Sequence, residues 1–264
     1  MKCIKIAFFI SFIFLSYLLN AQNAISVEYK EWSEQPGFIS GGTPIYKLII
    51  YPSYSVYFQS NFIKNNSPYF KDEQPEDEFK KANDFLYKFY QGKKILFLSD
   101  KINKNYFVVS DSLQLMKWKI QKSKPIRYLG LDCYQAKGYF RGRNYTAYFA
   151  PKIKKSDGPF KFSGLSGLII RIASDDQFII WQAIKINYHE KEIRGMTEKF
   201  KEKPISFQVY AKLTKWKDKR YIKAYKASHP PDPGETYDIE IPYTEKNLQL
   251  SFSENKFINQ IITK

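Results

Sequence analysis

Apolar and polar positions alternate with a period of two over most of this chain, and that period predicts a protein built from strands. Residues 25–29 form the first such run. Residues 46–51 and 55–59 follow it, set apart by the turn-rich stretches 35–44 and 52–53. Short alternating runs divided by Gly, Pro and Ser read as consecutive antiparallel strands. The pattern resumes at 95–99, 106–110 and 115–120, and it is clearest between 123 and 149. There Leu131, Cys133, Gln135 and Lys137 share one parity, and Asp132, Tyr134, Ala136 and Gly138 share the other. Neither set is cleanly polar, so both faces of that strand should be partly covered. Arg141, Gly142, Arg143 and Asn144 read as a turn into a hairpin partner over 145–149. Asp175 and Asp176 read as a second hairpin turn, and the long apolar run 177–188 beyond them as a central strand. Alternation returns at 237–243 and 248–252.

Two stretches follow a helical period instead. Pro75 and the acids Glu76, Asp77 and Glu78 suit a helix start, where a missing N–H costs nothing and the dipole favours negative charge. Phe79, Ala82, Leu86 and Phe89 then recur at steps of three and four until Gly92, which predicts an amphipathic helix over 75–91. The second stretch, 209–226, is ambiguous, with a partial stripe at Tyr210, Leu213, Trp216, Ile222 and Tyr225. Residues 203–207 before it read as a strand or as the lead into a helix.

The organising stretch is 158–172, where Gly158, Gly164 and Gly167 precede a β-branched apolar run. Glycines so placed predict backbone at positive φ or in close approach to another segment. Five blocks run in order through this half of the chain: W-K-I from Trp118, Y-L-G-L-D-C-Y-Q-A-K around Cys133, F-R-G-R-N-Y-T-A-Y-F with Arg141, Gly142 and Arg143, G-P-F-K-F from Gly158 and Pro159, and G-L-S-G-L-I-I with Gly164, Leu165, Gly167, Leu168 and Ile169. In that order and spacing the run resembles the GLPGLI family of exported bacterial proteins. The resemblance implies a sheet-rich domain of the cell envelope or exterior, and no activity, cofactor or catalytic residue. Ser166 stands where the family motif has proline, which predicts a looser turn because proline would fix φ.

Composition adds an address. Lys2 and Lys5 precede the apolar stretch 6–19, and Ala21 offers a small residue before a cut ahead of Gln22, the arrangement of a secretory signal peptide over 1–21. The alternative is an uncleaved amino-terminal anchor. Residues 22–264 carry no linker that justifies a cut, so one mature domain is expected, periplasmic or extracellular, with no transmembrane span. Cleavage takes Cys3 and leaves Cys133 alone, so the mature chain forms no internal disulfide. It also lowers the net charge from +16 to +14, an excess carried almost wholly by lysine. Nucleic-acid readers lean on arginine, and an exported chain seldom meets nucleic acid, so that partner class is set aside. Aromatics make up 18% of the residues, which favours strands over helices. The fold class expected is mainly β (α+β): a curved antiparallel sheet or half-barrel with one or two packed helices.

Candidate chemistry is sparse. Two histidines, His189 and His229, and one mature cysteine show no metal-ligand spacing, and no cofactor motif is present. Cys133 sits in an alternating strand, where a core thiol is the simpler role and a nucleophile would need a base beside it. The motif residues Trp118, Cys133, Arg141, Gly142, Arg143, Gly158, Pro159, Gly164, Leu165, Gly167, Leu168 and Ile169 read as structural. Seven basic residues and one acid lie between Ala211 and Lys226, and Lys212, Lys215, Lys219, Arg220 and Lys223 are candidates for contact with an anionic surface. Two functions remain open. One is an exported, non-enzymatic envelope-accessory or binding protein whose partner is a lipid, another apolar ligand or an envelope protein. The other is an exported hydrolase or thiol enzyme using Cys133.

Overall fold

A computed structural model describes residues 24–34, 42–64, 85–99, 101–113, 116–190, 198–230 and 245. The expected signal peptide, the strands at 237–243 and 248–252, and most of the expected helix at 75–91 lie outside these residues.

The strands are β1 (Ala24–Trp32), β2 (Gly42–Ile50), β3 (Tyr54–Lys64), β4 (Leu86–Phe89), β5 (Lys94–Leu98), β6 (Val108–Ser112), β7 (Lys119–Ile120), β8 (Ile126–Tyr128), β9 (Leu131–Phe140), β10 (Arg143–Ala150), β11 (Leu168–Ser174), β12 (Ile180–Glu190) and β13 (Ile205–Ser206). They form one open 13-stranded sheet in the order β13-β6-β5-β4-β3-β2-β1-β12-β11-β10-β9-β7, with β8 also on β9. Two antiparallel meanders, β1 to β6 and β9 to β12, are joined where β1 pairs β12 from Ala24↔Glu190 to Trp32↔Ile180. Among the described strands β13 alone pairs in parallel, on β6. The fold is mainly β with one α-helix among the described residues, α1 (Phe207–Ser228).

Local chemistry explains most of these elements. Leu129 and Gly130 at the β8–β9 turn, and Arg141 and Gly142 at the β9–β10 turn, all have positive φ. That is the requirement of a two-residue I′ hairpin, whose twist matches that of its strands. Residues 203–207 satisfy both sequence readings. Ile205 and Ser206 pair with β6, and the Ser206 side chain then accepts a hydrogen bond from Val209 N as the cap of α1.

The expected helix at 75–91 is corrected at its end. Leu86 and Phe89 lie in β4, paired with β3 and β5, and Gly92 (φ 82°) serves the hairpin turn into β5. Residues three apart in a strand face opposite sides, so the helical spacing of Leu86 and Phe89 coincides with a strand covered on both faces. Leu86 packs in the main core and Tyr87 in a second core on the other face. Tertiary cover decided between the two periods there.

The main core lines one face of the sheet. Val27, Tyr29, Leu48, Tyr57 and Ile95 of the first meander meet Ala147, Phe149, Ile172 and Trp181 of the second. The β10–β11 connection, residues 151–167, folds back over this face and sets Phe162 and Leu165 among them. Asp111 on β6 and Arg141 beside β10 belong to strands near opposite ends of the sheet order, yet they form an ion pair at 2.7 Å. The sheet therefore curves strongly without closing.

Candidate functional site

The motif segment 151–167 occupies the middle of the concave face, and its glycines explain how. A Cβ on Gly167 would lie 2.5 Å from the Ala150 carbonyl oxygen, and one on Gly158 2.8 Å from Ile169 Cβ. Both distances are shorter than atoms tolerate, so only glycine lets the segment lie this close to β10 and β11. Leu165 is buried and Ser166 exposed, so the position of Ser166 in the motif carries no core packing. Trp118 Nε1 donates to Ser163 O at 2.9 Å and Tyr29 Oη to Ile169 O at 2.6 Å, which ties the motif to the segment entering β7 and to β1.

Charged side chains fasten the segment to the sheet. Lys88, on β4, is fully buried; it pairs with Asp157 and donates to Gly158 O at 2.7 Å. Tyr90 Oη donates to Asp157 Oδ2 at 2.5 Å, and Gly158 N donates to Asp157 Oδ1 at 2.7 Å. Burial pulls the Lys88 ammonium pKa down, opposed by the Asp157 charge, and burial together with that charge pushes the Tyr90 phenol well up. Lys161 contacts Asp111 and Glu245 at 3.1 and 2.9 Å, and Arg141 contacts the same two carboxylates. Arg143 pairs with Asp176 and lies over the Phe178 ring at 4.0 Å. All these contacts lie within the chain, and only Asp176 among the carboxylates is exposed. Arg141 and Arg143, singled out in the sequence, thus serve the fold.

At the edge of this face Glu31 is half-buried, and Trp181 Nε1 donates to its Oε2 at 2.5 Å. Burial pushes the Glu31 carboxyl up to about 7, although the indole N–H favours the charged form. Tyr57 lies nearby with its ring stacked on Tyr46 at 4.9 Å; burial first, and then the Glu31 charge, raises its phenol pKa.

Cys133 is 1% exposed and packs in the main core, with its Sγ 3.5 Å from Leu131 O. Burial pushes the thiol up to about 11, so the nucleophilic thiolate is disfavoured at neutral pH. His189 lies near the outer end of β12 and His229 caps α1. Among the described residues, no group of three or more His, Cys, Asp or Glu is placed to hold a metal.

The basic helix is the remaining candidate. Its first turns pack Tyr210, Leu213 and Thr214 toward β6 and β13. Trp216 is half-buried under the Arg220 guanidinium at 4.8 Å, and the expected apolar stripe ends there as a packed face. Lys212, Lys219, Arg220 and Lys223 are exposed, while Lys215 is half-buried, and that burial lowers its ammonium pKa. Tyr221 and Tyr225 are 56% and 38% exposed, on the opposite side of the helix from Lys219 and Lys223.

Sequence reasoning missed Lys88, Asp111, Asp157, Lys161, Glu245 and Glu31. A signal was present for two of them: Lys88 sits within L-Y-K-F and Lys161 within F-K-F. A lone lysine inside an apolar strand or turn needs a buried partner. The partners are distant in sequence, so their identity was not readable.

These features define a class: an open, strongly curved, mainly β sheet whose concave face is filled by its own glycine-rich segment. No family model matches the chain, and no curated protein matches it in sequence. Among solved structures it is similar to PNGF-II in its P21 and C2 crystal forms, with TM-scores of 0.50 and 0.49 and identities of 12% and 13%. Each match covers 72% of this chain but only 33% and 32% of PNGF-II, so the chain spans about a third of that protein. A DUF1329 family protein from Desulfovibrio piger ATCC 29098 aligns with 67% of this chain and 90% of its own, at 9% identity and a TM-score of 0.22. At such identities the likeness to PNGF-II is one of fold.

Proposed function

We propose that this chain is an exported, non-enzymatic binding protein of the cell envelope, of the GLPGLI type, that docks on an anionic lipid surface through the lysine-bearing side of α1. One observation carries the reading. Lys212, Lys219 and Lys223 are exposed along one side of the helix, whereas Lys88, Arg141 and Lys161 are buried against carboxylates. A row of exposed lysines on one side of a helix attracts anionic headgroups. Export is supported by the charged and apolar start of the chain. The buried, high-pKa thiol speaks against a Cys133 enzyme, and the filled concave face speaks against an apolar cargo held there.

Co-sedimentation with vesicles tests the reading. Binding is expected to vesicles rich in phosphatidylglycerol, to be absent on pure phosphatidylcholine, and to weaken with salt. At about 1 kcal/mol per lysine near an anionic surface, changing Lys212, Lys219 and Lys223 to Gln should weaken binding roughly a hundredfold. Binding that ignores both salt and these changes rules the reading out, and leaves a protein partner as the object of search.

A further inference from the structure

The ion cluster around Lys161 holds one member that the sheet does not supply. Arg141 Nη2 donates to Asp111 Oδ1 and Oδ2 at 2.7 and 2.8 Å, and Lys161 Nζ to Asp111 Oδ2 at 3.1 Å. These three side chains come from the β9–β10 turn, from β6 and from the motif segment. The fourth, Glu245, lies 84 positions beyond Lys161, and both its oxygens are used: Oε1 accepts from Lys161 at 2.9 Å and Oε2 from Arg141 Nη1 at 2.9 Å. The four side chains are at most 8% exposed. Aromatic rings wall the cluster. Phe207 lies 3.6 Å from the guanidinium and 4.7 Å from the ammonium, and Phe97 4.3 Å from the ammonium.

Without Glu245 the cluster has two cations and one anion, a net charge of +1 in a water-poor setting. A guanidinium N–H and an ammonium then converge on the place of a single planar carboxylate, one donor for each oxygen. Charge-assisted bonds of this kind are short and strong, and a buried cation left without its partner is costly. A singly charged carboxylate restores neutrality, and a doubly charged anion overshoots it.

We propose that Arg141 and Lys161 form a carboxylate receptor that Glu245 fills in cis, and that the same receptor accepts a free monocarboxylate when the Glu245 side chain is withdrawn. Asp111 holds the two cations apart at the receptor's base, and the Phe207 ring at the start of α1 excludes water from it. The inference stands apart from the lipid-docking reading, because it concerns the inside of the sheet and not the outer face of α1.

The test is chemical rescue in the full chain. Glu245→Ala is expected to lower the melting temperature by roughly 10 °C, as loss of one partner from a buried pair does in a domain of this size. Acetate should restore at least half of that loss, saturably and in the millimolar range. Chloride at equal ionic strength and acetamide, the uncharged isostere, should not. The rescue should vanish in Glu245→Ala combined with Arg141→Gln, and the unaltered protein should not respond to acetate. Equal effects of acetate, chloride and acetamide overturn the proposal, and so does a rescue that survives removal of Arg141. Should Glu245→Ala fold in none of the three solutions, the comparison moves to Glu245→Ser, whose short hydroxyl vacates the place of the carboxylate and keeps a polar group near the two cations. Acetate-independent melting of that variant overturns the proposal as well.

Discussion

Glu31 shows how one side chain can set a pH response. Burial beside Trp181 holds its carboxyl at about 7, above the usual carboxylate range. At low pH the group is protonated in both folded and unfolded chains and has no effect. As pH rises past the ordinary glutamate value, the unfolded chain loses its proton first, so the folded state falls behind by a cost that grows until about pH 7. Glu31→Gln should therefore flatten the decline in stability between pH 5 and 7, and should stabilise the protein at pH 8 by about 3 kcal/mol. Denaturant unfolding of both proteins across this range measures the difference; parallel curves would show that the carboxyl titrates normally. Tryptophan emission offers a second readout, since the indole of Trp181 donates to the titrating oxygen.

The glycines of the motif separate two kinds of constraint at the level of elements. Gly167 is pinned by close approach, with the Ala150 carbonyl where a side chain would go, whereas Gly130 has open space and a positive φ of 76°. Gly130→Ala should cost about 1 kcal/mol, the penalty of the left-handed region. Gly167→Ala should cost about 3 kcal/mol or more, because backbone must shift and Leu165 and Leu168 shift with it. Urea midpoints of the two variants rank the effects, and equal midpoints would mean that the crossing of 151–167 over β10 is looser than the contacts require. The sequence rightly marked this stretch as a tight crossing, since glycines ahead of a β-branched run have few other uses. It misread the region around Leu86 and Phe89, where a strand covered on both faces imitates helical spacing over a few residues.

The whole molecule is a curved sheet that supplies its own filling. Phe160 stacks on Trp181 at 5.9 Å, and Phe162 meets Phe140, Tyr145 and Trp181 edge-on at 4.8 to 5.5 Å. Aromatic groups so placed leave the concave face apolar but occupied. Native mass spectrometry of the protein from envelope extract is accordingly expected to find it without an apolar molecule bound at one per chain. Recovery of such a molecule would require the 151–167 segment to leave its place. The two ends of the open sheet meet across Asp111 and Arg141, so curvature here is held by buried charge as well as by packing.

Alternation, turn chemistry and composition by themselves determined the strand-rich class, the hairpins at Gly142 and at Asp175 and Asp176, the buried run at 168–172 and the core position of Cys133. These are local properties, and period two or a positive φ leaves its mark within a few residues. Tertiary structure alone decided that β12 closes onto β1, that α1 leaves its outer half exposed, and that Lys88, Lys161 and Arg141 are internal. Each of those outcomes depends on which distant segment supplies the pairing strand, the cover or the opposite charge. Asp157 lies 69 positions from Lys88, and Glu245 lies 104 from Arg141. A buried cation announces in sequence that it needs a partner, and only the folded chain chooses which carboxylate answers.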